Sequence, residues 1–206
     1  MPRTATAWIA AVTAVFWILG FVLGLGDAAA IYMGFIADRL SGTAMLGPAV
    51  PAILTPLSAT LVHAGLLHLG LNLLILVWCG TAVERLLGPR ALILIYLVSA
   101  YVAALSQWLV EPNAQIPMIG ASGAVSGIIG AFALSFGQHK QITASPRLNR
   151  ALNALWLLAA WIVLQVLTGL LAGMQGVLLA TPAHVGGFLA GMALQRPLLL
   201  WRYRNA

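Results

Sequence analysis

Residues 117–136 read PMIGASGAVSGIIGAFALSF, twenty residues without a charged side chain. A helix of about twenty apolar residues is long enough to cross the hydrocarbon core of a bilayer, so this stretch predicts a membrane-spanning helix. Glycine recurs within it as Gly120, Gly123, Gly127 and Gly130, at spacings of three and four. Small residues at these spacings let neighbouring helices approach closely in a membrane, which predicts a helix-packing seam.

The rest of the chain has the same character. Of its 206 residues 62% are hydrophobic and only 7% are charged, with a mean hydropathy of +1.00, whereas soluble domains carry roughly 25% charged residues. We therefore predict an all-α polytopic membrane protein, with one transmembrane domain over residues 1–206 and no soluble domain. The apolar runs predict six membrane-spanning helices, near residues 8–25, 66–82, 91–110, 117–136, 151–172 and 182–201.

Two segments allow an alternative interpretation. Residues 42–62 are apolar enough for a seventh span, but they contain Pro48, Pro51 and Pro56 and reach the next span without a polar turn. We predict that they belong to a long, membrane-embedded first loop. The first run could be a cleaved signal peptide, yet its apolar core of about 18 residues exceeds the usual 7 to 15, which favours a retained helix.

The basic residues predict the orientation. With six spans, nine of the ten lie on one side and only Arg39 lies on the other; the seven-span alternative also divides them nine to one. Because basic residues accumulate on the cytoplasmic side, both termini are predicted to be cytoplasmic, in a multi-pass protein of a bacterial inner membrane. The same bias explains the high isoelectric point, so no nucleic-acid partner is predicted.

Ser122 and His184 form the candidate reactive pair. Ser122 is predicted about five residues inside the outer end of the fourth span, roughly 7 Å deep, and His184 in the first turn of the sixth. An ionisable residue at membrane depth suggests a functional site, and Gly187 and Gly191 lie near the same helical face as His184. None of the four acidic residues lies within a predicted span. We therefore expect a dyad, with Ser122 as nucleophile and His184 as general base and then acid.

A dyad also needs hydrogen-bond donors for the oxyanion that forms during acyl transfer. His68 and Asn72 lie four residues apart on one face of the second span and are candidates, together with the backbone amide of Ser122. Interhelical hydrogen bonding is the alternative role for the two side chains. His63 precedes this helix, and we interpret it as structural, fastening the first loop.

These residues together resemble the rhomboid family of intramembrane serine proteases. The resemblance extends over about residues 55–195 and is carried by HAGLLHLGLN at 63–72, GASG at 120–123 and AHVGG at 183–187. It implies a six-helix rhomboid-like bundle, no metal or cofactor, and transmembrane protein substrates that are cleaved in or near their membrane segment. It also implies the roles given above for Ser122 and His184, and for His68 and Asn72.

The sequence departs from the family pattern at two places. The first loop has no Trp-Arg pair, a feature of many rhomboids. Position 126 holds a serine, where some members have an aromatic ring that packs on the catalytic histidine. Neither departure removes a reacting group, so an active enzyme is still expected.

Two non-enzymatic alternatives are a rhomboid-like binder of membrane proteins and a small transporter that uses His68, Asn72 and His184 as a polar pathway. A transporter needs polar residues across the whole membrane, whereas the inner halves of the second and fourth spans are apolar. The absence of a His-Glu-x-x-His sequence argues against a zinc protease.

The remaining polar residues receive simpler interpretations. Gln165 and Gln195 lie within apolar runs and are predicted to form interhelical hydrogen bonds, and Gln165 could also lie near a substrate entry. Lys140, Arg147 and Arg150 are predicted to contact anionic membrane lipid.

Overall fold

A computed structural model describes residues 4–42, 49–137, 141–174 and 179–205. The described parts are helical, and the one β-bridge they contain pairs Phe35 with Met118. The all-α prediction is confirmed. Predictions that rest on Arg3, Pro48 or Lys140 lie outside the described residues. The helices are α1 Ala5–Val22, α2 Gly26–Met33, α3 Ala37–Leu40, α4 Thr55–Ser58, α5 Leu66–Leu87, α6 Pro89–Val110, α7 Ser122–Phe136, α8 Pro146–Met174 and α9 Thr181–Arg202, with 3-10 turns at Ala52–Leu54 and Ala59–Leu61.

The six predicted spans correspond to α1, α5, α6, α7, α8 and α9. In the described ranges, four of them (α1, α5, α6 and α8) are long and apolar enough to cross a membrane. Helix α7 is apolar but has only 15 residues, and α9 has 22 residues that include histidine and glutamine. The prediction of a polytopic helical bundle is confirmed.

The predicted start of the fourth span at residue 117 is wrong, because α7 begins at Ser122. The preceding residues are held in a non-helical path: Phe35 and Met118 exchange two backbone hydrogen bonds of 2.9 and 2.8 Å, and the Gly120 N–H donates to the Ala59 carbonyl at 2.9 Å. Gly120 has a φ of +111°, a conformation that favours glycine. Ser122 is therefore the first residue of a helix and does not lie one turn inside it.

At the opposite end of the bundle, α5 continues beyond the predicted end of the second span. Glu84, which lies beyond the predicted end of the second span, is buried within α5. Its carboxylate accepts hydrogen bonds from the Ala5 and Thr6 N–H groups at 2.8 and 2.9 Å, and from the Thr6 hydroxyl at 2.6 Å. The first N–H groups of a helix have no partner within it, so this carboxylate caps the start of α1 together with the Thr4 hydroxyl, which accepts from the Ala7 N–H at 3.2 Å.

The first loop packs against the bundle and has no long helix in its described part. Within residues 49–62 the longest helix, α4, has four residues, which favours six spans over seven. The Ser58 hydroxyl donates to the Met33 carbonyl at 2.6 Å, and a guanidinium nitrogen of Arg39 donates to the Val50 carbonyl at 2.8 Å. These bonds join the two halves of the loop, while Phe35 is buried against Ala104 of α6.

Glycines bring α7 into backbone contact with α9. A Cβ atom on Gly187 would clash with the Gly123 carbonyl, and one on Gly191 would clash with the Gly127 carbonyl. Both pairs advance by four residues, so the two helices are parallel along this seam. Gly120 was predicted to belong to it but does not, because it precedes α7. The apolar core lies on the other side of α7, against α5 and α6, and includes Leu76, Val83, Leu92, Ile95 and Ile128.

Candidate active site

The structure brings the two predicted reactive residues together. The Ser122 hydroxyl oxygen lies 2.8 Å from Nε2 of His184. Ser122 is half-buried at the first position of α7, and His184 is buried in the first turn of α9. Since the glycine seam holds the two helices parallel and in close contact, their first turns lie at the same level.

The second ring nitrogen of His184 has a partner on α8. Nδ1 lies 2.7 Å from Oε1 of Gln165, and both side chains are 7% exposed. A carbonyl-type oxygen can only accept a hydrogen bond, so Nδ1 carries the ring proton. Nε2 then has a free lone pair directed at the Ser122 hydroxyl. This is the tautomer in which a neutral histidine can act as a base toward serine.

The backbone of His184 is held by α8 as well. The Trp161 indole N–H donates to the His184 carbonyl at 3.3 Å, and its ring stacks on Phe188 with centroids 4.9 Å apart. Position 126, where some rhomboids have an aromatic ring that packs on the catalytic histidine, holds a buried serine. The sequence predicts Gln165 as an interhelical hydrogen bonder or as a residue near a substrate entry, and it does not identify the partner, because hydropathy does not indicate which residue a buried amide faces.

His68 lies beside the loop that leads to Ser122. A Cβ atom built on Gly120 would lie 2.7 Å from Nε2 of His68, so only glycine leaves room for the imidazole. Nδ1 of His68 accepts from the Ala64 N–H at 3.4 Å, which leaves Nε2 as the N–H donor of the neutral ring. That donor lies beside Gly120, which is two residues before Ser122 in the chain.

Asn72 is buried one turn further along α5. Its amide nitrogen donates to the His68 carbonyl at 2.9 Å. An amide nitrogen carries two hydrogens, so this bond within the helix uses only one of the two N–H donors of Asn72. His68 and Asn72 thus share one face of α5.

His63 fastens the first loop to the start of α7. Residues 62–65 are not helical, and the rings of His63 and His68 lie 5.0 Å apart, edge to face. The Ala121 N–H donates to Nε2 of His63 at 3.3 Å, and the His63 carbonyl accepts from the Trp17 indole at 2.9 Å. Burial, followed by the nearby His68 ring, lowers the pKa of His63 to about 4, which keeps its ring neutral and able to accept.

Comparison with known proteins gives a consistent family match. A family model described as Rhomboid domain matches residues 52–201. RHOMBOID-like protein 5 of Arabidopsis thaliana is 31% identical over 144 residues, which cover 70% of the chain and 43% of that protein. Rhomboid protease GluP of Bacillus subtilis is 39% identical over 79 residues, 38% of the chain and 14% of GluP.

One relative carries a different description. Inactive RHOMBOID-like protein 8 of Arabidopsis thaliana is 27% identical over 143 residues, which cover 69% of the chain and 37% of that protein. The chain spans less than half the length of each of these three relatives.

Proposed function

This chain belongs to the rhomboid family, and we propose that it is an intramembrane serine endopeptidase that cleaves transmembrane protein substrates in or near their membrane segment. The observation that carries the proposal is the 2.8 Å separation of the Ser122 hydroxyl and Nε2 of His184. This distance is within the 2.6 to 3.2 Å reach of a nucleophile and its general base.

The proposed reaction is acyl transfer in two steps. The Ser122 oxygen attacks the carbonyl carbon of the scissile peptide bond, and its proton passes to Nε2 of His184. His184 then gives that proton to the departing amine as the carbon–nitrogen bond breaks, which leaves an ester on Ser122. In the second step water attacks the ester carbonyl and His184 accepts its proton. His184 then returns that proton to the Ser122 oxygen as the ester bond breaks, which releases the carboxylic acid product and restores the free enzyme.

Three donors would stabilise the oxyanion: the Ser122 backbone N–H, Nε2 of His68 and the Asn72 amide. The first N–H groups of a helix have no partner within it, and they carry its positive dipole end. The start of α7 at Ser122 supports this assignment, as does the position of His68 beside Gly120. Loss of one oxyanion donor typically lowers kcat by a factor of about 10² to 10³.

We place the site on the extracytoplasmic side of a bacterial cytoplasmic membrane. The alternation of the helices brings the basic residues that flank them to the end of the bundle opposite Ser122. By the positive-inside rule, that end and both termini face the cytoplasm. The residues are Arg85, Arg90, Arg147, Arg150, Arg196, Arg202 and Arg204.

The test is cleavage of a single-span model substrate in proteoliposomes. Ser122→Ala and His184→Ala are expected to abolish cleavage, and Ser122→Ala should leave the melting temperature unchanged. The matched control is Ser126→Ala, which changes a buried serine one turn further along α7. This variant is expected to cleave the substrate like the wild type. Cleavage by the Ser122→Ala protein would contradict the proposal. A wild-type protein that binds the substrate and never cleaves it would indicate a binder instead.

A further inference from the structure

Helix α8 presents an unusual buried side chain. Of its 29 residues only Asn153 and Gln165 are buried. The residues on either side of Gln165 are exposed, Leu164 to 52% and Val166 to 46%. Gln165 is thus the single buried side chain in the half of α8 that lies near Ser122, where the other residues are exposed or half-buried.

A buried amide without a hydrogen-bond partner destabilises a protein, because it has lost its hydrogen bonds to water. The Gln165 carbonyl oxygen avoids this cost through its 2.7 Å contact with Nδ1 of His184. The burial of this glutamine is therefore explained by the histidine. What the histidine gains from the contact is a fixed ring proton and a fixed ring orientation.

We infer that Gln165 is a positioning residue, which holds His184 in the tautomer and rotamer required for the proposed reaction. Without an acceptor at Nδ1, a neutral imidazole can carry its proton on either nitrogen. In the Nε2–H form the lone pair is on Nδ1, so the nitrogen that faces Ser122 cannot accept its proton. An acceptor opposite Nδ1 excludes that form, and it also accepts from the imidazolium that appears once the proton is transferred.

Trp161 fixes the level at which Gln165 meets His184. Trp161 lies four residues before Gln165 on α8, and Phe188 lies four residues after His184 on α9, so each pair is one helical turn apart. The stacked rings of Trp161 and Phe188 and the Gln165–His184 bond form two successive rungs between the antiparallel helices. This arrangement supports His184 from α8 and does not use position 126.

The experiment compares three variants in the proteoliposome assay. Gln165→Met keeps the length of the side chain and removes the acceptor. Gln165→Glu keeps an acceptor oxygen in either protonation state. Gln195→Met is the matched control, since Gln195 is also buried and donates to the Ser135 hydroxyl at 3.0 Å near the far end of the bundle.

For Gln165→Met we expect kcat to fall about tenfold, the factor that corresponds to about 1.4 kcal/mol and to the upper range of a neutral hydrogen bond. KM should stay within about twofold, because substrate binding is not changed. Gln165→Glu should recover kcat to within about threefold of wild type, and Gln195→Met should leave it unchanged. A Gln165→Met protein with wild-type kcat, or a Gln165→Glu protein as slow as Gln165→Met, would overturn the inference.

A second measurement does not depend on catalysis. In 15N-histidine NMR spectra, with His184 assigned by its loss in His184→Gln, the wild type should show the Nδ1–H tautomer and Gln165→Met a mixture of both. An Nε2–H tautomer in the wild type would overturn the inference even in an active enzyme. The expected fall in kcat of Gln165→Met rests on the proposed function, but the proposed function and the role of Gln165 can fail separately. Cleavage by the Ser122→Ala protein would refute the dyad. The tautomer of His184 in the NMR spectra would still decide the role of Gln165.

Discussion

Replacement of Gly191 by alanine tests whether the glycine seam sets the geometry of the Ser122–His184 pair. Gly191 lies seven residues, or about two turns, after His184 on α9. A Cβ atom there would clash with the Gly127 carbonyl oxygen and lie 2.5 Å from its carbonyl carbon and 2.7 Å from its Cα. All three atoms are backbone, so no rotamer change relieves the contact, and the two helices must separate.

The size of the separation follows from the distances. Bringing the 2.5 Å contact to an ordinary 3.4 Å requires α9 to move from α7 by at least about 0.9 Å, and the carbonyl oxygen, which is nearer, requires more. A rigid displacement of that size lengthens the 2.8 Å contact between Ser122 and His184 to about 3.7 Å, beyond hydrogen-bond range. Overpacking of this kind costs about 1–3 kcal/mol, and we expect cleavage to fall at least about tenfold.

The assay measures the melting temperature in detergent and the rate of substrate cleavage for the same preparations. Gly20→Ala on α1 is the matched control, because no atom lies within 4 Å of a Cβ at that position. It should be neutral or stabilise the helix by up to about 1 kcal/mol. A Gly191→Ala protein with the melting temperature and cleavage rate of the wild type would refute the reasoning.

Two further predictions concern stability. Glu84→Gln weakens the hydrogen bonds that cap α1 and should lower the free energy of unfolding by about 1.5–3 kcal/mol, measured by chemical denaturation. The control Asp27→Asn, at an exposed carboxylate, should lower it by less than about 0.5 kcal/mol. Equal losses in the two variants would contradict the capping role. The folded pKa of His63, about 4, lies below its unfolded value of about 6.5. Its neutral ring therefore contributes stability that is fully present above pH 6.5 and is lost as the pH falls toward 4. Melting temperatures of wild type and His63→Gln should converge over this range, and parallel curves would show that His63 is not responsible.

The contact between Ser122 and His184 was predictable because it follows from topology and local spacing. Two parallel spans that carry the reactive groups near their outer ends, with glycines at intervals of four between them, leave little freedom in how those groups meet. The loop character of residues 49–62 was likewise predictable, since prolines interrupt the apolar run.

The start of α7 was not predictable, because residues 117–121 are as apolar as the helix that follows them. What breaks the helix there is long-range pairing of Met118 with Phe35 and of Gly120 with Ala59, which hydropathy does not reveal. The partner of Gln165 was hidden for a similar reason. A glutamine in an apolar run indicates a buried hydrogen bond, but only the packing of α8 on α9 identifies His184 as its hydrogen-bond partner.

The central claim is that Ser122 is a nucleophile activated by His184. Its most direct measurement is peptide mass spectrometry after labelling with a serine-directed fluorophosphonate. We predict an adduct on Ser122 in the wild type, none in Ser122→Ala, and labelling at least about tenfold slower in His184→Ala. An adduct on a different serine, or equal labelling rates in wild type and His184→Ala, would contradict the account.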